Sequence, residues 1–223
     1  MEKKLEIENK DGQLFRYRKA NDYTLDELEN GYIYFSSNIE LNDPFDASHH
    51  MLRLSKEDSE MHKLYNELID QSSDELTKNY IQKSYKNHPE KLRELVVNST
   101  KNFISMYGIA CFTVTPIHIP LWAYYANNHE GICIQYDTNR DKSFFEKPRR
   151  IDYVENFESI DYEPISNPQN AMNVFYKKIN LWDKEFEVRL IKPTFGRHKL
   201  NPESVRSIIL GLNAKSDYTE KII

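Results

Sequence analysis

A chain of 223 residues fits one large domain, or one domain carrying an insertion. With 35 acidic against 30 basic residues and a net charge of −5, it lacks the cationic excess of a protein that coats nucleic acid, although a local basic patch is still open. Six glycines exclude a glycine-rich or repeat architecture, and two cysteines without C-x-x-C spacing, Cys111 and Cys133, argue against a disulfide scaffold or a structural zinc site.

Both thiols sit in apolar, strand-like runs and read as buried free cysteines. The 15 Tyr and 11 Phe compensate for a lean aliphatic content, because aromatic rings bury large areas. The N-terminus lacks the apolar run of a signal peptide, and no stretch approaches the roughly 18 apolar residues of a membrane span. The expected location is the cytoplasm, with no membrane partner.

In chain order, residues 13–19 (QLFRYRK) predict a strand with Phe15 and Tyr17 on one face and Arg16 and Arg18 on the other. Thr24-Leu-Asp-Glu27 is a capping-box pattern that predicts a short helix over 25–29. Gly31 stops it, and Tyr32–Ser37 predicts a second strand. Asn42-Asp43-Pro44-Phe45-Asp46 has turn chemistry. From about 55 to 107, apolar residues recur at helical spacing through Met61, Leu64, Leu68, Leu92, Val96 and Phe103, which predicts an insertion of two or three helices, the last opened by Pro89. Strand patterns return at 108–113, 131–137 and 150–154, with a helix over 121–126 between the first two. Residues 171–181 show helical spacing. Residues 185–191 (EFEVRLI) alternate most cleanly, and 204–210 predicts a short helix or strand. Strands on both sides of a helical block favour a single α+β domain over residues 1–223, rather than a doubly wound parallel sheet.

Chemistry-bearing candidates follow from this layout. On the 185–191 strand, Phe186, Val188 and Leu190 face inward, and Glu185, Glu187 and Arg189 line the opposite face roughly 6.6–7 Å apart. That face reads equally as a site or as a solvated ion pair of little worth. Arg16 and Arg18 suit a phosphate or carboxylate, or form an exposed strand face. Ser36 and Ser37 offer hydroxyls for a ligand, or simply end a strand. Asp43 and Asp46 suggest either a divalent metal or Asx-turn hydrogen bonding. Trp122, Tyr124, Tyr125 and His129 form an aromatic cluster suited to stacking on a base or to core packing. The seven histidines form no ligand set, and His49 and His50 are expected to diverge. Signatures of zinc hydrolases, Walker ATPases, classical dehydrogenases and α/β-hydrolases are missing from the sequence.

The series LFRYRK, GYIYFSSNIELNDPFD, IACFT, LWAYYANNHEGICIQYD, Lys178 with Trp182 and EFEVRLI, then IILGLNA, resembles the bacterial family called domain of unknown function 2971 from about Leu14 to Ala214. Members are associated with bacteria or phages and often lie near defence genes. They carry further C-terminal sequence, which implies that a last strand is shortened or missing here.

More remotely, the order Arg16, Ser36-Ser37, Glu185-x-Glu187 resembles that of ADP-ribosyltransferases, with Arg18 and S-S-N departing from the usual pattern. This likeness implies a core of small mixed or antiparallel sheets, NAD as substrate and no metal. It implies Glu187 stabilising the reacting ribose and Glu185 orienting or deprotonating an acceptor, protein or nucleic acid. It also implies that Arg16, Tyr17, Ser36 and Tyr125 contact NAD, either tyrosine stacking on nicotinamide. Two other readings stay open: a metal-dependent nucleic-acid enzyme built on Asp43, Asp46, Glu185 and Glu187, and a non-enzymatic sensor or interaction module.

Overall fold

The computed structural model describes residues 12–156 and 158–222. In chain order the elements are β1 (Gln13–Arg18), α1 (Asp22–Glu29), β2 (Tyr32–Phe35), β3 (Leu52–Leu54), α2 (Asp58–Gln71), α3 (Glu75–Tyr85), α4 (Pro89–Met106), β4 (Gly108–Thr113), α5 (Ile119–Tyr125) and β5 (Ile132–Asp137). They continue as β6 (Arg149–Arg150), β7 (Asp152–Val154), β8 (Ile160–Tyr162), β9 (Lys177–Ile179), β10 (Glu187–Lys192), β11 (Gly196–Lys199), β12 (Val205–Leu210) and α6 (Ser216–Ile222). The result is mixed α+β. No helix among the described residues is long and apolar enough to cross a membrane.

A six-stranded antiparallel sheet in the order β12-β5-β1-β4-β10-β6 carries the core. Its registers assign the faces. Arg16 lies opposite Ile134, Phe15 opposite Thr113, and Arg189 opposite Cys111. Because side chains alternate along a strand, Leu14, Phe112, Ile132, Ile134, Tyr136, Val188 and Leu190 share one face, packed with Phe144 and Phe145. The other face carries Phe15, Tyr17 and Cys133 under Leu121 and Trp122 of α5 and Ala126 just after it. Three small two-stranded pairs surround it: β2 with β11 antiparallel, and β3 with β8 and β7 with β9 parallel. The helices α2, α3 and α4 fill the 55–107 region as the spacing predicts, and Pro89 opens α4.

Five local expectations are corrected. Helix α1 begins three residues before the predicted Leu25, because Asn21 caps it by accepting from the Thr24 N–H at 3.0 Å. Glu27 therefore never reaches back to a cap and is buried against β1. Residues 171–181 are no α-helix. A 3-10 stretch runs over Pro168–Tyr176, its buried Ala171 and Val174 recurring every three residues, and β9 follows.

The 150–154 strand splits into β6 and β7, which pair with different partners. The late strand starts at Glu187, because Phe186 adopts a left-handed conformation (φ 47°) that closes a 3-10 stretch over Asn180–Glu185. Phe186 thus leaves the core face and its ring meets His118 at 5.9 Å. Finally, His49 and His50 do not diverge. A 3-10 turn brings their rings to 4.0 Å.

Candidate functional site

The site is a parting between two strands. Strand β4 pairs with β1 at Thr113, opposite Phe15, and with the end of β2 at Ile109, opposite Ser36. Between these two points, at Cys111, the neighbouring strands separate. A cleft of about 250 Å³ opens there, near the lower end, about 300 Å³, of small-molecule sites. Arg16, Tyr17, Ser36, Tyr125, Glu185 and Glu187 all line it. So do Arg18, Glu40, Asn42, Asp46, Cys111 and Lys178, which bring charge or a hydrogen-bonding group to the wall. A larger hollow of about 550 Å³ between α4 and the 168–172 stretch is lined without any charged side chain.

At one end of the cleft, three carboxylates meet two cations in a buried network. Lys178 Nζ donates to Glu185 Oε2 at 2.7 Å and Glu187 Oε2 at 3.0 Å, and lies 3.5 Å from Asp46 Oδ2. Arg189 donates through Nε to Glu187 at 2.5 Å, and through Nη1 and Nη2 to both Asp46 oxygens at 2.8 and 2.5 Å. Its Nη1 also donates to the Phe175 carbonyl at 3.0 Å. The solvated-ion-pair reading of this face fails, since Arg189 is fully buried and Glu187 is 5% exposed.

Burial alone would raise the Glu187 carboxyl. Arg189 and Lys178 instead hold it down at about 2. Burial pulls Lys178 down, but Glu187, Asp46 and Glu185 outweigh that and raise it. Cys111 is pushed up by burial and by Glu187, and burial pushes Cys133 up to about 12, so both are inert thiols.

Glu185 is the more accessible of the two glutamates, its side chain 11% exposed against 5% for Glu187. The Thr113 hydroxyl donates to its carbonyl at 2.9 Å and fixes its backbone. The Tyr125 hydroxyl donates to its Oε1 at 2.7 Å, and Asn42 Nδ2 donates to that hydroxyl at 3.2 Å. With three acids against two cations this end carries one excess negative charge. Glu187, held ionised, is a fixed charge rather than a proton acceptor, and Glu185 is the carboxylate a ligand can reach.

The other end is cationic. Glu27 Oε1 accepts from Arg16 at 3.3 Å and from the Tyr34 N–H at 2.7 Å, and Glu27 Oε2 lies 2.8 Å from Arg18. Arg16 also donates to the Tyr34 carbonyl at 3.0 Å. Two guanidiniums against one carboxylate leave a positive excess. Burial and the neighbouring Arg16 lower the Arg18 pKa, with Glu27 opposing. The buried Arg18 Nε has no hydrogen-bond partner. Glu40 also borders the cleft, capping Ser37 through its N–H at 2.7 Å and its hydroxyl at 3.0 Å.

The structure thus gathers all six sequence-derived site residues on one cleft, in differing states. Tyr17 is packed edge-on against Trp122 at 5.0 Å. Its hydroxyl donates to the Thr115 carbonyl at 3.1 Å and accepts from the His118 N–H at 3.2 Å, so it holds the loop before α5. Trp122 stacks on His129 at 5.8 Å as core packing, while Tyr124 stands exposed. Asp43 makes the Asx turn, accepting from the Phe45 N–H at 2.9 Å, and also accepts from the Trp182 indole at 3.0 Å.

The sequence alone gives Lys178 no role, and it offers Asp46 only as a metal ligand or turn residue. Their one sequence signal is membership in the NDPFD and Lys178…Trp182 motifs. A metal at Asp46, Glu185 and Glu187 would have to displace Lys178, and among the described residues no set of three or more His, Cys, Asp or Glu is arranged to hold one. No family model, curated protein or solved structure matches the chain.

Proposed function

We propose that this chain is an NAD-consuming, ADP-ribosyl-transferring enzyme of the bacterial or phage defence and toxin type. In this reading it is a member of the family called domain of unknown function 2971, with a core of the ADP-ribosyltransferase kind. One observation carries the proposal. Arg16, Ser36 and Glu187, from an early strand, the end of the next strand and a late strand, border one cleft whose two ends have opposite charge excess.

NAD has the matching polarity, an anionic pyrophosphate and a cationic nicotinamide ring. A guanidinium carries five N–H donors, and the two bonds Arg16 makes leave the remainder of its fork for a phosphate or ribose edge. The cleft holds the nicotinamide–ribose half, and the adenosine extends beyond it. Tyr125 stacks on nicotinamide more readily than Tyr17, whose ring and hydroxyl are both engaged.

In the reaction the bond between nicotinamide nitrogen and ribose C1′ breaks, and its electron pair leaves with nicotinamide, now neutral. The fixed charge of Glu187 stabilises the oxocarbenium character left on the ribose. The acceptor nucleophile bonds to C1′ and its proton passes to Glu185. Lys178 holds both carboxylates in place.

The test incubates the protein with labelled NAD and a cell lysate, beside a Glu187→Gln variant. The wild type is expected to release nicotinamide and label a macromolecule, with the variant slower by about 100-fold or more. No NAD consumption by folded wild-type protein would overturn the reading, and metal-dependent nucleic-acid cleavage would replace it.

A further inference from the structure

Six large apolar side chains stand exposed on the three segments that frame the cleft: Ile39, Phe45, Ile117, Ile119, Tyr124 and Leu181. Ile117, Ile39 and Leu181 are each more than 80% exposed. The segments are contiguous around the mouth. Asn42 bonds Tyr125, Asp43 bonds Trp182, Tyr125 bonds Glu185, and His118 meets Phe186. Exposed apolar groups gathered in one place cost solvation and mark contact surfaces.

The charge between them selects the kind of partner. Residues 38–46 carry Glu40, Asp43 and Asp46 and no cation, and residues 115–126 carry no Asp, Glu, Lys or Arg. Residues 178–187 carry Asp183, Glu185 and Glu187 against Lys178 and Lys184. Six acids face three cations, Lys178, Lys184 and the buried Arg189, which leaves an acidic excess, and of these charges Glu40, Asp183 and Lys184 stand exposed. Away from the Arg16–Arg18 end of the cleft, such an excess disfavours the phosphates of nucleic acid and of anionic lipid, and attracts cations.

We infer that this rim is a docking surface for a protein segment that combines apolar side chains with Lys or Arg. The partner's apolar residues pack on Ile117, Ile119 and Leu181, and its cationic side chain reaches toward Glu185. The inference stands whether or not the cleft consumes NAD.

The test measures fluorescence anisotropy of a short labelled peptide of alternating Leu and Lys on the full chain. The controls are the same peptide with Glu for Lys, a single-stranded oligonucleotide and vesicles of neutral lipid. Binding of the basic peptide is expected to weaken about tenfold in an Ile117→Asp, Leu181→Asp double variant. It should be unchanged in Leu76→Asp, an equally exposed position on α3, and should fall with added salt. These exposed positions bear little on stability, so all variants should fold. No binding of the basic peptide, equal binding by the rim variant, or rim-dependent capture of the acidic peptide, oligonucleotide or vesicles in its place would each overturn the inference.

Discussion

Both carboxylate oxygens of Asp46 grip the Arg189 guanidinium, at 2.8 and 2.5 Å, across 143 residues of chain. Removing Asp46 takes two charge-assisted hydrogen bonds from a fully buried Arg189 and leaves it only Glu187 and the Phe175 carbonyl, whereas replacing both Asp46 and Arg189 with apolar groups leaves no guanidinium to satisfy. Asp46→Ala is therefore expected to lower the unfolding free energy by about 3–5 kcal/mol. An Asp46→Leu, Arg189→Met double variant should lose clearly less than the sum of its single changes. Urea unfolding of the four proteins checks this as a double-mutant cycle.

The Glu187 carboxyl supplies a pH dependence with a definite sign. Burial would raise it, but Arg189 and Lys178 lower it from 4.5 to about 2. A carboxyl depressed on folding stabilises the fold above its unfolded pKa and loses that contribution as pH falls through its folded pKa. Stability should thus decline between about pH 4.5 and about pH 2, by at most about 3 kcal/mol from this group. In Glu187→Gln the decline over this window should be shallower. Denaturation midpoints measured at successive pH values separate the two.

Tyr125→Phe deletes the hydroxyl that links Asn42 to Glu185. The unfolding free energy should fall by only about 1 kcal/mol, the net worth of a typical hydrogen bond. If the proposed reaction holds, NAD turnover should fall about tenfold or more, equivalent to about 1.4 kcal/mol in the barrier. Equal turnover by the two proteins would show that Glu185 needs no orientation from this side.

Phe186 holds a left-handed conformation between the two glutamates. Asn tolerates that region and β-branched residues do not. Phe186→Asn should cost only the packing against His118, whereas Phe186→Val should be less stable than the Asn variant by about 1–2 kcal/mol. Thermal unfolding ranks them.

The elements that set the site were legible wherever local pattern determines structure. Alternation placed Phe15 and Tyr17 opposite Arg16 and Arg18, and set Glu187 and Arg189 opposite Val188 and Leu190, as the registers have it. Alternation is silent on burial. The partners that sequester Glu187 and Arg189 come from Asp46 and Lys178, and no period relates residue 46 to residue 189. The same holds for Glu27, whose local role as a capping residue lost to its pairing with two arginines on β1. The 171–181 error has another origin. Spacings of three and four fit an α-helix and a 3-10 turn alike, and a neighbouring strand decided the outcome at Lys177.

That the cleft is a parting of strands rather than a hollow within one element governs when it can exist. Its walls need residues 15–18, 36–46, 109–113, 125 and 178–187 together, so almost every contact that shapes it is distant in sequence. The hairpin-like neighbours within α2, α3 and α4 need no such meeting. On refolding, helical signal should therefore recover well before ligand-binding capacity, and no fragment of the chain cut between Ser36 and Lys178 would retain a workable cleft.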